Sequence, residues 1–123
     1  MKLCEAKILL NAEVVFGGHL LDKEVTTACG ADLMSDVLAF TKERTLLLTG
    51  LTNLQVIRTA EMSDLAGIVF VRGKRPSQDV IQLAANNGIP LLVTSWPMFE
   101  ACGLLYSGGI RGCSSPQGVH HES

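Results

Sequence analysis

Four short stretches bring together the residue types that bind or transform small polar molecules. They are Cys29-Gly30-Ala31-Asp32, Thr49-Gly50-Leu51-Thr52-Asn53, Arg72-Gly73-Lys74-Arg75 and Thr94-Ser95. Three place glycine or hydroxyl groups just before an expected helix start, and one offers cations. A helix start presents unpaired N–H groups and a partial positive charge, which suits a phosphate or carboxylate. The residues expected to touch such a ligand are Asp32, Thr49, Gly50, Asn53, Arg72, Gly73, Lys74, Thr94 and Ser95. The competing reading is that these are ordinary polar loops, as found at the strand ends of any α/β sheet.

Catalytic constellations are weaker. Asp32 and Asp36 stand four apart and could ligate Mg²⁺, but an N-cap followed by a first-turn acid explains them better. Cys29 lies between a strand and a helix start, where a thiol can be activated, yet no histidine stands nearby in the sequence. Cys102 falls on an apolar helix face and reads as core. His19 belongs to a turn. His120 and His121 sit near the C-terminal end with Cys113, where an incidental polar tail is the simpler reading than a weak metal site. Ser95 lacks the Gly-x-Ser-x-Gly setting of a hydrolase nucleophile. Gly67 to Lys74 imitates a phosphate-binding loop, but five residues rather than four separate its glycines and Arg75 replaces the Ser/Thr. Trp96 and Phe99 flank the last helix start, as core or as an interface anchor. No catalytic residue, metal or cofactor is expected.

These stretches need a scaffold, and the chain is long enough to build one. It has 123 residues, 47% hydrophobic and 18% charged, with a net charge of −2. That fits one folded domain with a core of its own. The slight acidity argues against nucleic acid as a partner. Glu5 and Lys7 interrupt any signal-like start, and no window reaches the roughly 18 apolar residues of a membrane span. The expectation is a cytoplasmic protein that does not enter the membrane. Cys4, Cys29, Cys102 and Cys113 are far apart without a Cys-x-x-Cys pair and read as free thiols.

Lys2 to Asn11 has helical apolar spacing. Glu13 to Phe16 and Glu24 to Cys29 read as short strands around a Gly17-Gly18 turn. Asp32 is expected to cap a helix through Phe40. A strand over Arg44–Thr49 follows, then a helix capped by Thr52 or Asn53 and ending near Met62. Ile68 to Val71 is a strand and the expected centre of the sheet. Ser77 is expected to cap the next helix, which Asn86-Asn87-Gly88 ends through a left-handed residue. Leu91 to Thr94 is the last long strand. Ser95 is expected to cap a final helix that turns Met98, Phe99, Cys102, Leu105 and Tyr106 inward. Apolar strands alternating with amphipathic helices give a mostly parallel sheet with helices on both faces. An N-terminal helix and short hairpin-like strands precede the βαβαβα run. The domain is expected over 1–110, with a flexible tail over 111–123.

The ordered set Leu21-Asp22-Lys23-Glu24-Val25, Ala31-Asp32-Leu33-Met34-Ser35-Asp36-Val37-Leu38, Leu65-Ala66-Gly67-Ile68-Val69 through Gly73 and Pro76, and Gly88-Ile89-Pro90-Leu91-Leu92 resembles the DRTGG domain. The likeness runs from Lys2 to Ile110. That family is similar in fold to the N-terminal domain of HPr kinase. It accompanies CBS domains in regulated pyrophosphatases, and it also occurs in some phosphotransacetylases and as stand-alone proteins. The resemblance implies a non-catalytic regulatory or dimerisation module. Two positions depart from the family pattern: Lys23 stands where the family has Arg, and Val71-Arg72-Gly73 replaces its Thr-Gly-Gly. Lysine cannot reproduce a bidentate arginine contact.

The function expected from these readings is a homodimeric regulatory module that binds an anionic metabolite or nucleotide at the carboxyl ends of its strands. The alternatives are a structural protein that docks on a partner enzyme, and an enzyme using Cys29 or Asp32/Asp36.

Overall fold

Three apolar runs are buried along their whole length. They are Thr45–Thr49 (β3), Gly67–Phe70 (β4) and Leu91–Val93 (β5). A strand buried on both faces belongs inside a sheet covered by helices on each side, and that is where these strands lie. The computed structural model describes residues 1–113. Its remaining strands are Glu13–Phe16 (β1), Thr27–Gly30 (β2) and Arg111–Gly112 (β6), and the sheet order is β1-β5-β4-β3-β2-β6. Strands β2 to β5 are parallel and adjacent in chain order, β6 runs parallel outside β2, and β1 runs antiparallel outside β5.

Alternation along the strands sorts the core into two layers. Leu47, Ile68, Phe70, Leu91 and Val93 face helices Met34–Phe40 (α2), Leu54–Met62 (α3) and Gln78–Asn86 (α4). Leu46, Leu48, Val69, Val71 and Leu92 face Leu3–Leu10 (α1) and Met98–Ser107 (α5). The expected mostly parallel sheet with helices on both faces is therefore present, and β4 lies at its middle beside β3.

Several local expectations change. β1 and β2 do not form a hairpin with each other. β1 pairs with β5 at one edge, and β2 lies beyond β3 toward the other. Gly17, with φ of 100°, starts this separation, and a Cβ there would come within 3.0 Å of Pro90. The segment after Gly18–Leu20, a 3₁₀ turn, then braces α1, because Leu21 and Lys23 carbonyls accept from the Cys4 and Leu3 N–H groups. Arg111 and Gly112, expected in the tail, form β6 on β2. His120 and His121 lie outside the described residues.

The helix starts differ too. Of the two expected caps for α3, Asn53 rather than Thr52 serves, its side chain accepting from the Val56 N–H. Leu33, not Asp32, holds the N-cap position of α2, without a side-chain cap. Pro97 rather than Ser95 holds that position in α5, and Ser77 stands at the α4 N-cap without bonding through its side chain. Gly88 supplies the left-handed residue after α4. On α5 the buried stripe is Ala101 and Leu105, so Phe99 at 84% and Tyr106 at 60% exposure point outward. Gly108, just after α5, lies close against α1: a Cβ there would come within 2.5 Å of Leu9. The Arg111 guanidinium lies 4.6 Å over the Tyr106 ring and gives the exposed face a cationic partner.

Candidate functional site

Parallel strands end together, so the loops after β2, β3, β4 and β5 share one end of the sheet, where ligands bind in open α/β folds. Within that end the expected residues form two groups.

The first group surrounds Asp32, just beyond β2. Its Oδ1 accepts from the Thr49 hydroxyl at 2.9 Å and from the Gly50 N–H at 2.8 Å. The Thr49 oxygen in turn accepts from the Leu51 N–H at 3.1 Å. Asp32 thus fastens the end of β2 to the end of β3. The β2–β3 register, with Gly30 opposite Leu48, brings the carboxylate to Thr49. This group is full: Thr49 is buried, the Gly50 N–H is taken, and a carboxylate stands in front of both. An anion meets repulsion here. Asn53 is occupied with capping α3.

The second group lies at the ends of β4 and β5. Val71, Arg72, Gly73 and Lys74 make a tight turn, closed by the Lys74 N–H donating to the Val71 carbonyl at 3.2 Å. Arg72 and Gly73 both take positive φ, 60° and 68°, the pattern of a type I′ turn. The turn is pinned by its backbone: the Arg72 N–H donates to the Trp96 carbonyl and the Gly73 N–H to the Thr94 carbonyl, at 2.9 and 2.8 Å. Those N–H groups are spent on the protein, so any pull on an anion comes from the Arg72 and Lys74 side chains, both on exposed residues. Arg75 is already engaged, forming a two-pronged pair with Glu13 at 3.1 and 2.6 Å. That contact holds the Glu13 carboxyl below its usual range. Among the described residues neither Arg72 nor Lys74 has a carboxylate partner.

Thr94 is buried, and its hydroxyl donates to the Leu10 carbonyl at 2.8 Å while accepting from the Trp96 N–H at 3.4 Å. It therefore positions the chain and does not face a ligand. Ser95 is exposed, and with Leu10, Asn11 and Trp96 it lines a groove of about 380 Å³. Trp96 is 43% exposed there. Its place beside the cationic turn could not be read from periodicity; the only signal was a large aromatic next to a strand end. The two groups meet where the Val71 N–H donates to the Thr49 carbonyl.

The nucleophile reading of Cys29 loses its basis. Burial, followed by the neighbouring Cys113 thiol, pushes Cys29 up to about 12, away from activation. Burial also raises Cys102. Among the described residues no three His, Cys, Asp or Glu side chains gather as metal ligands, and none of their helices is long and apolar enough to cross a membrane.

The scaffold and its loops define an open, doubly covered α/β module. Residues 6–106 match the DRTGG domain family, and the chain belongs to it. Its fold is similar to that of the CBS and DRTGG domains of the regulatory region of Clostridium perfringens pyrophosphatase, in a crystal structure complexed with the activator diadenosine tetraphosphate. The two share 19% identity and superpose with a TM-score of 0.67 over 85% of this chain and 45% of that one. This chain thus spans less than half of that regulatory region. No curated protein matches the chain significantly.

Proposed function

We propose that this chain is a non-catalytic regulatory module that binds a nucleotide or another anionic metabolite at the carboxyl ends of β4 and β5. The observation that carries the reading is the pinned turn. Its backbone is anchored to Thr94 and Trp96, so Arg72 and Lys74 project from a fixed base beside the Trp96 groove. Two cations next to an exposed aromatic suit a phosphate attached to a flat ring, the cations holding charge and the indole offering a stacking face. Of the expected site residues, Arg72, Lys74 and Ser95 would touch the ligand. Gly73 and Thr94 would shape the turn, and Asp32, Thr49, Gly50 and Asn53 would hold the neighbouring strand ends. The nucleotide activator of the pyrophosphatase regulatory region supports the ligand class.

The module would act in the cytoplasm as a homodimer whose arrangement shifts on binding. Ile8 on α1 and Phe99 and Tyr106 on α5 are exposed apolar side chains on the same side of the sheet. They favour pairing there with a second copy or, as a second reading, docking on a larger enzyme.

Trp96 is the sole tryptophan, so its fluorescence reports directly on the groove. Nucleotides and phosphorylated metabolites titrated into the protein should quench or shift that emission, with matching heat in calorimetry. A broad panel without any response would sink the ligand reading. Light scattering then separates a dimer from a monomer that needs another protein.

A further inference from the structure

Two thiols that no ligand reading uses face each other at the edge of the sheet. The β2–β6 register pairs Thr27 with Arg111 and Ala28 with Gly112. Cys29 and Cys113 are the next residues along each chain, Cys113 lying just past the end of β6. Partners in a parallel pair point to the same face. For Cys29 that is the α2 face, because its β3 partner Leu47 packs there. The Cys113 thiol is close enough to act on Cys29. Cys102 lies on the opposite face: a Cβ on Gly30, the residue after Cys29, would meet the Cys102 Sγ at 2.7 Å. Neighbouring parallel strands lie about 4.8 Å apart, within the Cα spacing a disulfide spans.

We propose that Cys29 and Cys113 form a reversible disulfide that clasps β6 to β2. The oxidant is a small-molecule disulfide of the glutathione class. The Cys113 thiolate attacks one sulfur of that disulfide, its S–S bond breaks, and one small thiolate leaves. The Cys29 thiolate then attacks the Cys113 sulfur of the mixed disulfide, forming the internal S–S bond and expelling the second small thiolate. The two protons lost by the protein thiols end on the two small thiols, so one disulfide is reduced as one forms. Cys29 ionises rarely, which makes the second step slow, whereas the product carries no charge to bury. Without the bond β6 is only two residues long and holds the chain's return by one short ladder. With it, residues 29 to 113 close into one ring, and the edge beside the Asp32 loop is fixed.

The test is to equilibrate the full chain in graded reduced and oxidised glutathione, quench with acid, and map peptides without reduction. The expected product links Cys29 to Cys113 with the loss of two hydrogens. The thermal midpoint should rise by on the order of 10 °C and return with dithiothreitol. Cys29→Ser and Cys113→Ser should each abolish link and shift, while Cys102→Ser should keep both. A link through Cys102 or Cys4, a link between chains, glutathione adducts alone, or a correct link without a thermal shift would each overturn the clasp.

Discussion

The Asp32 carboxylate accepts the Thr49 hydroxyl at 2.9 Å, joining the loop after β2 to the end of β3. The same oxygen takes the Gly50 N–H. Removing the carboxylate leaves a buried hydroxyl and a backbone donor without their acceptor, and a charged acceptor is worth more than a neutral one. Asp32→Ala should therefore cost about 2 kcal/mol, reduced by the exposure of Asp32 to water. Asp32→Asn keeps an oxygen and should cost about half as much. Urea denaturation of the two variants measures this, and an Asp32→Ala variant as stable as the parent would show that the bond holds nothing.

Arg72 has two separable effects. Its positive φ strains any residue with a Cβ, whereas its guanidinium is offered to solvent. Arg72→Gly should leave stability unchanged or raise it by up to about 1 kcal/mol. The same change should weaken binding of a nucleotide read by Trp96 emission by roughly tenfold, the loss of one charge-assisted contact. Arg75→Ala is the control, because Glu13 already holds that side chain. Its affinity should match the parent's.

What the sequence disclosed was the rhythm of the fold. Ile68 to Val71 could be placed at the centre because four consecutive β-branched or aromatic residues have no amphipathic alternative. Asn53 and Gly88 were legible because a cap and a left-handed stop act on their own neighbours. Asp32 was not, since the same residue before a helix suits an N-cap and a bond across strands, and only the β2–β3 register decides between them. The Thr94 hydroxyl reaches a carbonyl 84 residues away, beyond any local pattern. Helix α5 is apolar on most sides, so its periodicity fitted Phe99 inward as well as Ala101. Burial in the layer between the sheet, α1 and α5 selected the small residue.

Thr59 on α3 marks a weak point in the core. It is 1% exposed, and its hydroxyl has no hydrogen-bond partner among the described residues. A buried hydroxyl without a partner has lost its water for nothing. Thr59→Val keeps the shape and removes the polar atom, and should stabilise the chain by about 1 kcal/mol. A calorimetric midpoint that falls in the variant would mean that the hydroxyl has a partner in solution.

The raised Cys29 thiol ties stability to alkaline pH. Its ordinary value is 9.0 and the folded value about 12. Below pH 9 the thiol is protonated whether the chain is folded or not, and its contribution is complete. Between 9 and 12 the unfolded chain releases the proton while the folded chain retains it, so stability falls as pH rises. Burial is the main cause and the adjacent Cys113 thiol the next. Under reducing conditions the parent should therefore lose more stability from pH 8 to pH 10 than Cys29→Ser, which has no thiol to ionise at that position. Iodoacetamide should modify Cys29 much more slowly than an ordinary exposed thiol at neutral pH, since the thiolate is the reacting form. Equal losses in parent and variant, together with rapid alkylation, would place Cys29 in water and remove the neighbouring thiol pair from the sheet edge.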